Sequence, residues 1–411
     1  MTATATVPPL ETIAKGLVTR LPEGALAGAQ RIRLVAALLG LGATAAGFFL
    51  DKAQFLHSYL VGYFFALSLC LGALFFVMVQ HITRAGWSVV VRRIAENMAG
   101  VFPVMAVFFL PIAIFAPDLY HHWWPGHADT GDTTIQGKSG YLNPTFWYVR
   151  AAFYFVSWTA LATWFRRTSL TQDQTGDAQL SLKMSRRAAP GLLVFALTLT
   201  FAAFDWLMSL NPHWFSTMFG VIVFAGCVVG TLATIAILGI WLGKLGYLQQ
   251  VISAEHYHDL GKLLFAFTVF WSYTSFSQYM LIWYANLPEE TEYYQMRLGT
   301  WEPVGIGLIV GHFILPFAFL MSRHIKRNRV TLTIGASFML LMHFLDLHFM
   351  VLPNLYPATD GHGFHPSWMD ATAVLGFFAL FLSFTIGNIR KVPLLPERDP
   401  RLQESLRFHN I

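Results

Sequence analysis

Apolar residues occur along the whole chain in runs of about 20, which is the length that a helix needs to cross the hydrocarbon core of a bilayer. Lipid leaves only helices and closed barrels as spanning structures, and these runs are too long and continuous for barrel strands. The pattern therefore predicts an all-α polytopic membrane protein with ten transmembrane helices. They fall at about 34–50, 56–80, 98–117, 145–166, 189–210, 214–243, 260–287, 302–322, 330–352 and 367–389.

The polar segments between these runs are asymmetric in charge. Of the 27 Lys and Arg residues, 23 fall on one side if the spans alternate, and the opposite loops hold only Lys52, Lys138 and Arg297. An excess of basic residues marks cytoplasmic loops. We therefore predict that residues 1–33 form a cytoplasmic N-terminal segment, that 34–389 form a single transmembrane domain, and that 390–411 form a cytoplasmic C-terminal tail.

Two segments four spans apart resemble each other. FDWLMSLNP (204–212) and FLDLHFMVLP (344–353) each place an aspartate, Asp205 or Asp346, seven residues before a proline. Because the two copies are offset by four spans, an even number, they have the same orientation, as in parallel membrane repeats. The repeat predicts two four-helix bundles, spans 2–5 (about 56–210) and spans 6–9 (about 214–352), flanked by spans 1 and 10.

Composition narrows the classes of function. The chain is 55% apolar and only 12% charged, which excludes an ordinary soluble domain. Its net charge of +5 comes from short clusters between apolar runs, with no continuous basic face, so we expect no nucleic-acid partner. The two cysteines, Cys70 and Cys227, lie inside apolar runs without a CxxC motif, so we predict no Fe–S cluster, c-type haem or disulfide framework.

Three charged residues lie within the spans: Arg150, Asp205 and Asp346. Each charge costs about 2.5–3.5 kcal/mol at the centre of a membrane helix, so these side chains are expected to face the protein interior. Counting along the helices places all three in the outer half of the bilayer. One interpretation is a polar path for protons or quinol, together with Tyr148, Tyr154 and Glu302. The other is a structural ion pair between Arg150 and Asp205.

Histidines add titratable groups to the second half of the chain. His343 and Asp346 are three residues apart on one helix face, so the carboxylate could orient the imidazole. His348 points about 140° away from His343 and cannot share a metal with it. His312 and His343 lie at a similar depth in the membrane, so a haem b ligated by this pair is an open alternative. The histidines of the outer loops have two alternative interpretations, a metal site or a solvated docking surface. They are His121, His122, His127, His362 and His365.

Several segments, in this order and spacing, resemble one known group of proteins. They are HITRAGWSVVVRRIAENM (81–98), FDWLMSLNPHW (204–214), SQYMLIWYANLPEET (277–291) and the FLDLHFMVLP end of the ninth span. The chain is similar over nearly its whole length to the ActF-type membrane subunits of bacterial alternative complex III, within the NrfD-like, or polysulfide-reductase-like, family.

The resemblance implies a multi-pass subunit of the bacterial inner membrane in a quinol:cytochrome c oxidoreductase complex of the respiratory chain. It implies ten helices in two bundles, with the NrfD-like paralogue ActC, an Fe–S subunit and multihaem cytochrome c subunits as partners. It marks Asp205 and Asp346 as proton-path carboxylates. It also implies a quinone, such as menaquinone, as the candidate ligand, while no cofactor is bound covalently or by metal ligation.

The sequence therefore predicts a membrane subunit without a redox centre of its own, which supports proton translocation and quinol binding beside catalytic partners. The candidate site residues are Asp205, Asp346, Arg150, His343, His312, Glu302 and Tyr148. A secondary transporter is a second hypothesis, because buried charges and repeats are typical of transporters. A purely structural anchor of the redox complex is the third.

Overall fold

The computed structural model describes residues 18–127, 131–361 and 363–410, and within these ranges the regular structure is helical, with no strand. The predicted all-α class is therefore confirmed. In chain order the α-helices are α1 (Ala27–Gly47), α2 (Lys52–Ile82), α3 (Val89–Ala99), α4 (Phe102–Phe108), α5 (Leu110–Ile114), α6 (Ala116–Leu119), α7 (Thr133–Lys138), α8 (Pro144–Thr175), α9 (Gln179–Trp206), α10 (Phe219–Lys244), α11 (Ala254–Ala285), α12 (Pro288–Gln295), α13 (Glu302–Leu308), α14 (Leu315–Met321), α15 (Arg323–Arg327), α16 (Arg329–Val351), α17 (Trp368–Ile389) and α18 (Leu402–Leu406).

Seven helical segments in the described part of the chain are long and apolar enough to cross a membrane. The predicted runs at 34–50, 145–166 and 260–287 coincide with helices α1, α8 and α11, which are outside this set of seven. The seven segments are Lys52–Ile82, Val89–Ile114, Gln179–Leu210, Phe219–Lys244, Gly299–Met321, Arg329–Asn354 and Trp368–Ile389.

Prolines divide two of these segments. Helices α4, α5 and α6 each carry a proline in their first two positions, where its missing N–H costs nothing and its ring blocks continuation from the preceding turn. Between α13 and α14 the chain forms a π-helix, Ile309–Ile314, just before Pro316. Such π segments are rare and occur frequently at functional sites.

Helices α2 and α10 form the centre of the molecule. The apolar window of α2 is 94% buried and that of α10 is 83% buried, and the two helices pack against each other. A Cβ atom on Gly72 of α2 would lie 2.3 Å from the carbonyl oxygen of Cys227 in α10, so only glycine allows this approach. Small residues are used in this way where helices pack in lipid.

Helices α1 and α17 pack against each other just as closely, although they are far apart in the chain. A Cβ atom on Gly40 would lie 2.8 Å from the Cα atom of Gly376, so the two backbones are in direct contact. Helix α17 also packs on α2, which joins this pair to the centre of the molecule.

The segment 81–97 contains helix α3, whose two arginines are buried. Arg92 and Arg93 are 3% and 0% exposed. Arg92 binds Asp399 of the C-terminal tail (Nη2 to Oδ2, 2.6 Å), and Arg93 binds Asp173 at the end of α8. Both also pair with Glu96 of the same helix, at 3.3 and 3.2 Å. The pairs with Glu96 follow from spacing along the helix, whereas Asp399 and Asp173 lie far away in the sequence and have no local signal.

Candidate functional site

Arg150 and Asp205 meet across helices α8 and α9. Two parallel bonds join them, from Nε to Oδ2 and from Nη2 to Oδ1, each 2.8 Å long. The Tyr154 hydroxyl donates a third hydrogen bond to Oδ2 (2.7 Å), and Asp205 is fully buried. Two parallel bonds of this kind are the strongest geometry between a guanidinium and a carboxylate. The ion pair that the sequence analysis left open is therefore confirmed.

Two predicted members of the polar path lie outside this cluster. Tyr148 is 41% exposed, and its hydroxyl donates to the backbone carbonyl of Ala113 (2.7 Å). Glu302 is exposed at the start of α13, and the described part of the chain provides no hydrogen bond or ion pair to its carboxylate. Both residues were chosen by depth along their helices. Depth does not determine which way a side chain points around the helix axis.

Asp346 lies in a different environment, between α11, α16 and the π-helix. Its Oδ2 accepts a hydrogen bond from Trp271 Nε1 (3.0 Å), and the ring centroid of Trp271 lies 3.8 Å from that of His312. Within the described ranges no Lys or Arg forms an ion pair with Asp346. His312 is fully buried in the π-helix, and neither of its ring nitrogens has a hydrogen-bond partner there.

His343 completes this group, which we call the Asp346 cluster: Ser68, Trp271, His312, His343 and Asp346. The Nε2 atom of His343 lies 2.8 Å from Ser68 Oγ on α2, and its Nδ1 has no partner among the described residues. Ser68 therefore orients the imidazole, rather than Asp346 as expected, because Asp346 is held by Trp271 on α11. His343 lies on α16 and His312 on the π-helix. The haem pair of these two histidines stays a prediction.

Two glycines of α10 make room for the His343 ring. A Cβ atom on Gly226 would lie 3.0 Å from ring atoms of His343, and one on Gly230 would lie 2.9 Å from its Cδ2. Small residues in membrane helices usually allow a neighbouring helix to approach closely. What these two glycines approach is the imidazole of His343 rather than a helix backbone.

A third buried polar group was not predicted from the sequence. Asp370, at the start of α17, accepts hydrogen bonds from Ser58 (2.6 Å) and Gln54 (3.1 Å) of α2. His348 Nε2 lies 3.3 Å from the other Asp370 oxygen. A signal was present, because Ser367 and Asp370 form the capping box of α17, which places the aspartate at a helix start.

The outer-loop histidines that the structure describes do not form a metal-binding group. His121 and His122 are adjacent, with ring centroids 4.1 Å apart, and burial lowers the pKa of His122 to about 4, so its imidazole is neutral at pH 7. His365 lies beside Tyr356, with ring centroids 5.5 Å apart. His362 lies outside the described residues.

Comparison of the chain with protein-family models and with curated proteins finds no match. Interpretation of the site therefore depends on its chemistry. The Arg150–Asp205 pair is a saturated ionic link. The Asp346 cluster combines one carboxyl group with two imidazoles that retain unpartnered nitrogens, and each of these groups can take up and release a proton.

Proposed function

We propose that the chain is a non-haem integral membrane subunit of a quinol:cytochrome c oxidoreductase complex, of the NrfD-like kind, in a bacterial inner membrane. The seven long apolar helices and the one-sided distribution of Lys and Arg support a multi-pass protein with both termini in the cytoplasm. In this proposal α1, α8 and α11 also span the bilayer, which gives ten spans in two four-helix bundles with α1 and α17 beside them.

The Asp346 cluster is the observation that carries this proposal. Ionisable side chains inside a membrane protein are functional by default, because they are costly to retain there. His312 also lies in a π-helix, a distortion that is found frequently at functional sites. A carboxyl group beside two imidazoles suits a site that passes protons, as quinol oxidation or proton translocation requires.

A quinone, such as menaquinone, is the ligand that this role implies. The unpartnered ring nitrogens of His312 and His343 are the groups that would hydrogen bond it. The quinone would supply two-electron redox chemistry, and the electrons would pass to partner subunits that carry Fe–S clusters and c-type haems, beside the paralogous membrane subunit.

Asp205 has a different role in this proposal. Its two oxygens are occupied by a guanidinium and a phenol, so we assign it to joining α8 and α9 rather than to proton transfer. The predicted proton path is thereby reduced to the half of the molecule that contains Asp346.

The decisive experiment is an Asp346→Asn substitution in the intact complex. Asparagine keeps an oxygen that can accept the Trp271 hydrogen bond but cannot exchange a proton. We expect assembly to be unchanged and quinol turnover or proton translocation to fall about a hundredfold, the scale of a lost acid–base group. Asp118→Asn is the matched control, because Asp118 is an exposed acid paired with Lys52.

The alternatives give different results. Full turnover and proton translocation in the Asp346→Asn complex would support the hypothesis that the chain is a purely structural anchor. A chain that purifies alone and moves a solute across vesicles would support the secondary transporter. The two interrupted segments, Val89–Ile114 and Gly299–Met321, are not counterparts in the proposed repeat, so they do not favour a transporter with paired broken helices.

A further inference from the structure

A cavity of about 270 Å³ lies at the basic end of the molecule, where α2 ends. Gln80 in its wall is about 18 Å along α2 from Ser68 of the Asp346 cluster. Helix α2 ends beside it, and α3 and α9 begin beside it. Polar side chains form much of the wall, namely Gln80, His81, Arg84, Arg92, Ser181 and Arg401.

Two of the three arginines in this wall are already paired. Arg92 binds Asp399, which also lines the cavity (2.6 Å), and Arg401 binds Glu404 (Nη2 to Oε2, 2.7 Å). Arg84 is exposed, and no described residue forms an ion pair or hydrogen bond with its side chain. Among the described residues, Arg84 is therefore the arginine of this wall without an anionic partner.

One buried and one half-buried polar group in the wall can form a further hydrogen bond. His81 is 5% exposed, and its Nε2 has no hydrogen-bond partner among the described residues. Its ring stacks on Phe165 with centroids 5.6 Å apart, which holds it in place. Ser181 Oγ accepts from Gln172 Nε2 (2.8 Å), so its own hydrogen is available to an acceptor. An unmade hydrogen bond of this kind costs about 1–3 kcal/mol, so native proteins contain few.

Two helix N-termini border the cavity. Helices α3 and α9 both begin there, and Val89 and Gln179 line it. The first turn of neither helix holds an acidic residue, although the amide of Gln179 already bonds to Asp177 Oδ1 (2.9 Å). The start of a helix carries a partial positive charge, which favours an anion.

The last turn of α2 also borders the cavity, and its carbonyl oxygens at Gln80 and His81 are already hydrogen bonded, so they do not offset the positive charge. The carbonyl oxygens of Gln80 and His81 accept hydrogen bonds from the amides of Ala85 (3.0 Å) and Arg84 (3.2 Å). Arg84 adopts a left-handed backbone with φ of 52°, where glycine is the usual residue. The chain therefore keeps a long cationic side chain at a position where glycine would be less strained.

We propose that this cavity binds the phosphate group of an anionic ligand, supplied by a phospholipid headgroup or by free phosphate. Arg84 provides the charge, His81 provides a buried ring nitrogen, and Ser181 provides a half-buried hydroxyl. Guanidinium groups and helix N-termini are the usual partners of phosphate, and basic pockets between membrane helices bind anionic lipid headgroups. Asp399 remains paired with Arg92 and does not oppose the ligand directly.

The test uses the purified full-length chain in detergent, with inorganic phosphate, phosphatidylglycerol or phosphatidylcholine added. We expect phosphatidylglycerol or phosphate to raise the melting temperature, and phosphatidylcholine to leave it unchanged. Arg84→Gly is expected to weaken binding about tenfold, the effect of one charge-assisted hydrogen bond. The same variant removes backbone strain, so its melting temperature without ligand should be equal or higher.

His81→Phe provides a second variant, because phenylalanine keeps the stack on Phe165 but has no ring nitrogen; we expect it to weaken binding as well. Arg186→Ala is the matched control, since Arg186 is exposed on α9 and does not line the cavity. A shift with phosphatidylglycerol alone assigns a lipid headgroup, and a shift with inorganic phosphate assigns a free phosphate. No shift with either, or wild-type binding by both Arg84→Gly and His81→Phe, would overturn the proposal.

Discussion

Asp205 and Asp346 occupy the same position in two similar segments of sequence, but their surroundings differ. Asp205 accepts two bonds from the Arg150 guanidinium and one from a tyrosine hydroxyl. Asp346 accepts one from the indole of Trp271 and lies in a cluster with two histidines. The same carboxylate position thus joins two helices through an ion pair in one half of the molecule, and in the other half it lies beside two imidazoles without a cation among the described residues.

The residue on the facing helix makes the difference. A guanidinium compensates a buried carboxylate and holds it in one state, whereas an indole satisfies an oxygen without neutralising it. The Asp205 region is therefore expected to respond to substitution through stability. The Asp346 region is expected to respond mainly through function.

Removal of Arg150 should have the largest effect on stability. Arg150→Met leaves Asp205 buried without its cation, which costs about 3–5 kcal/mol. The loss is measurable as a lower midpoint of unfolding in detergent. Asp346→Asn is the comparison, and it should cost less than about 1 kcal/mol because an acceptor for Trp271 remains. Equal losses in the two variants would remove the distinction between the two regions.

The glycines beside His343 provide the next test. Gly226→Ala and Gly230→Ala place a methyl group at about 3 Å from the imidazole, and overpacking of this kind costs about 1–3 kcal/mol. Gly239→Ala, on the same helix, is the control, because its nearest atom would lie at an ordinary 3.5 Å. If all three variants unfold at the same midpoint, the imidazole is not confined by α10.

Replacement of Trp271 addresses Asp346 directly. Trp271→Phe removes the Nε1 donor and should cost about 1–2 kcal/mol. Trp158→Phe is a matched variant in the other half, where Nε1 donates to Thr198 Oγ1 (2.9 Å). Denaturant unfolding compares the two. A neutral effect at Trp271 would show that Asp346 does not depend on this bond.

The smallest effect is expected outside the membrane. A hydrogen bond from His213 and the amides of Thr134 and Ile135 hold the pKa of Asp132 below its ordinary value. A carboxyl group with a lowered pKa in the folded state stabilises at pH above its unfolded value and loses this contribution as pH falls through the folded pKa. Exchange protection of the Thr134 and Ile135 amides should therefore decrease below about pH 4.

Asp132→Asn removes this titration, so its amide protection should be flat over the same pH range. Protection that follows the same pH curve in both proteins would assign the change to another group. Because this acid and its histidine are accessible to water, their response provides a reference for the buried carboxyl groups.

Helical class and approximate helix positions could be predicted from the sequence, because lipid imposes the 20-residue apolar pattern on the chain itself. The contact between Arg150 and Asp205 could also be predicted, because both charges lie at one depth on consecutive spans. The partner of His343 could not, since Ser68 lies 275 residues away and nothing local marks it. The pairs of Arg92 with Asp399 and of Arg93 with Asp173 were missed for the same reason.

The backbone contact of Gly40 with Gly376 has a consequence for biogenesis. Helix α1 leaves the ribosome about 320 residues before α17, the helix that packs against it. Until then α1 has no α17 to cover its small-residue face. Insertion of α1 and its final packing are therefore separate events in time.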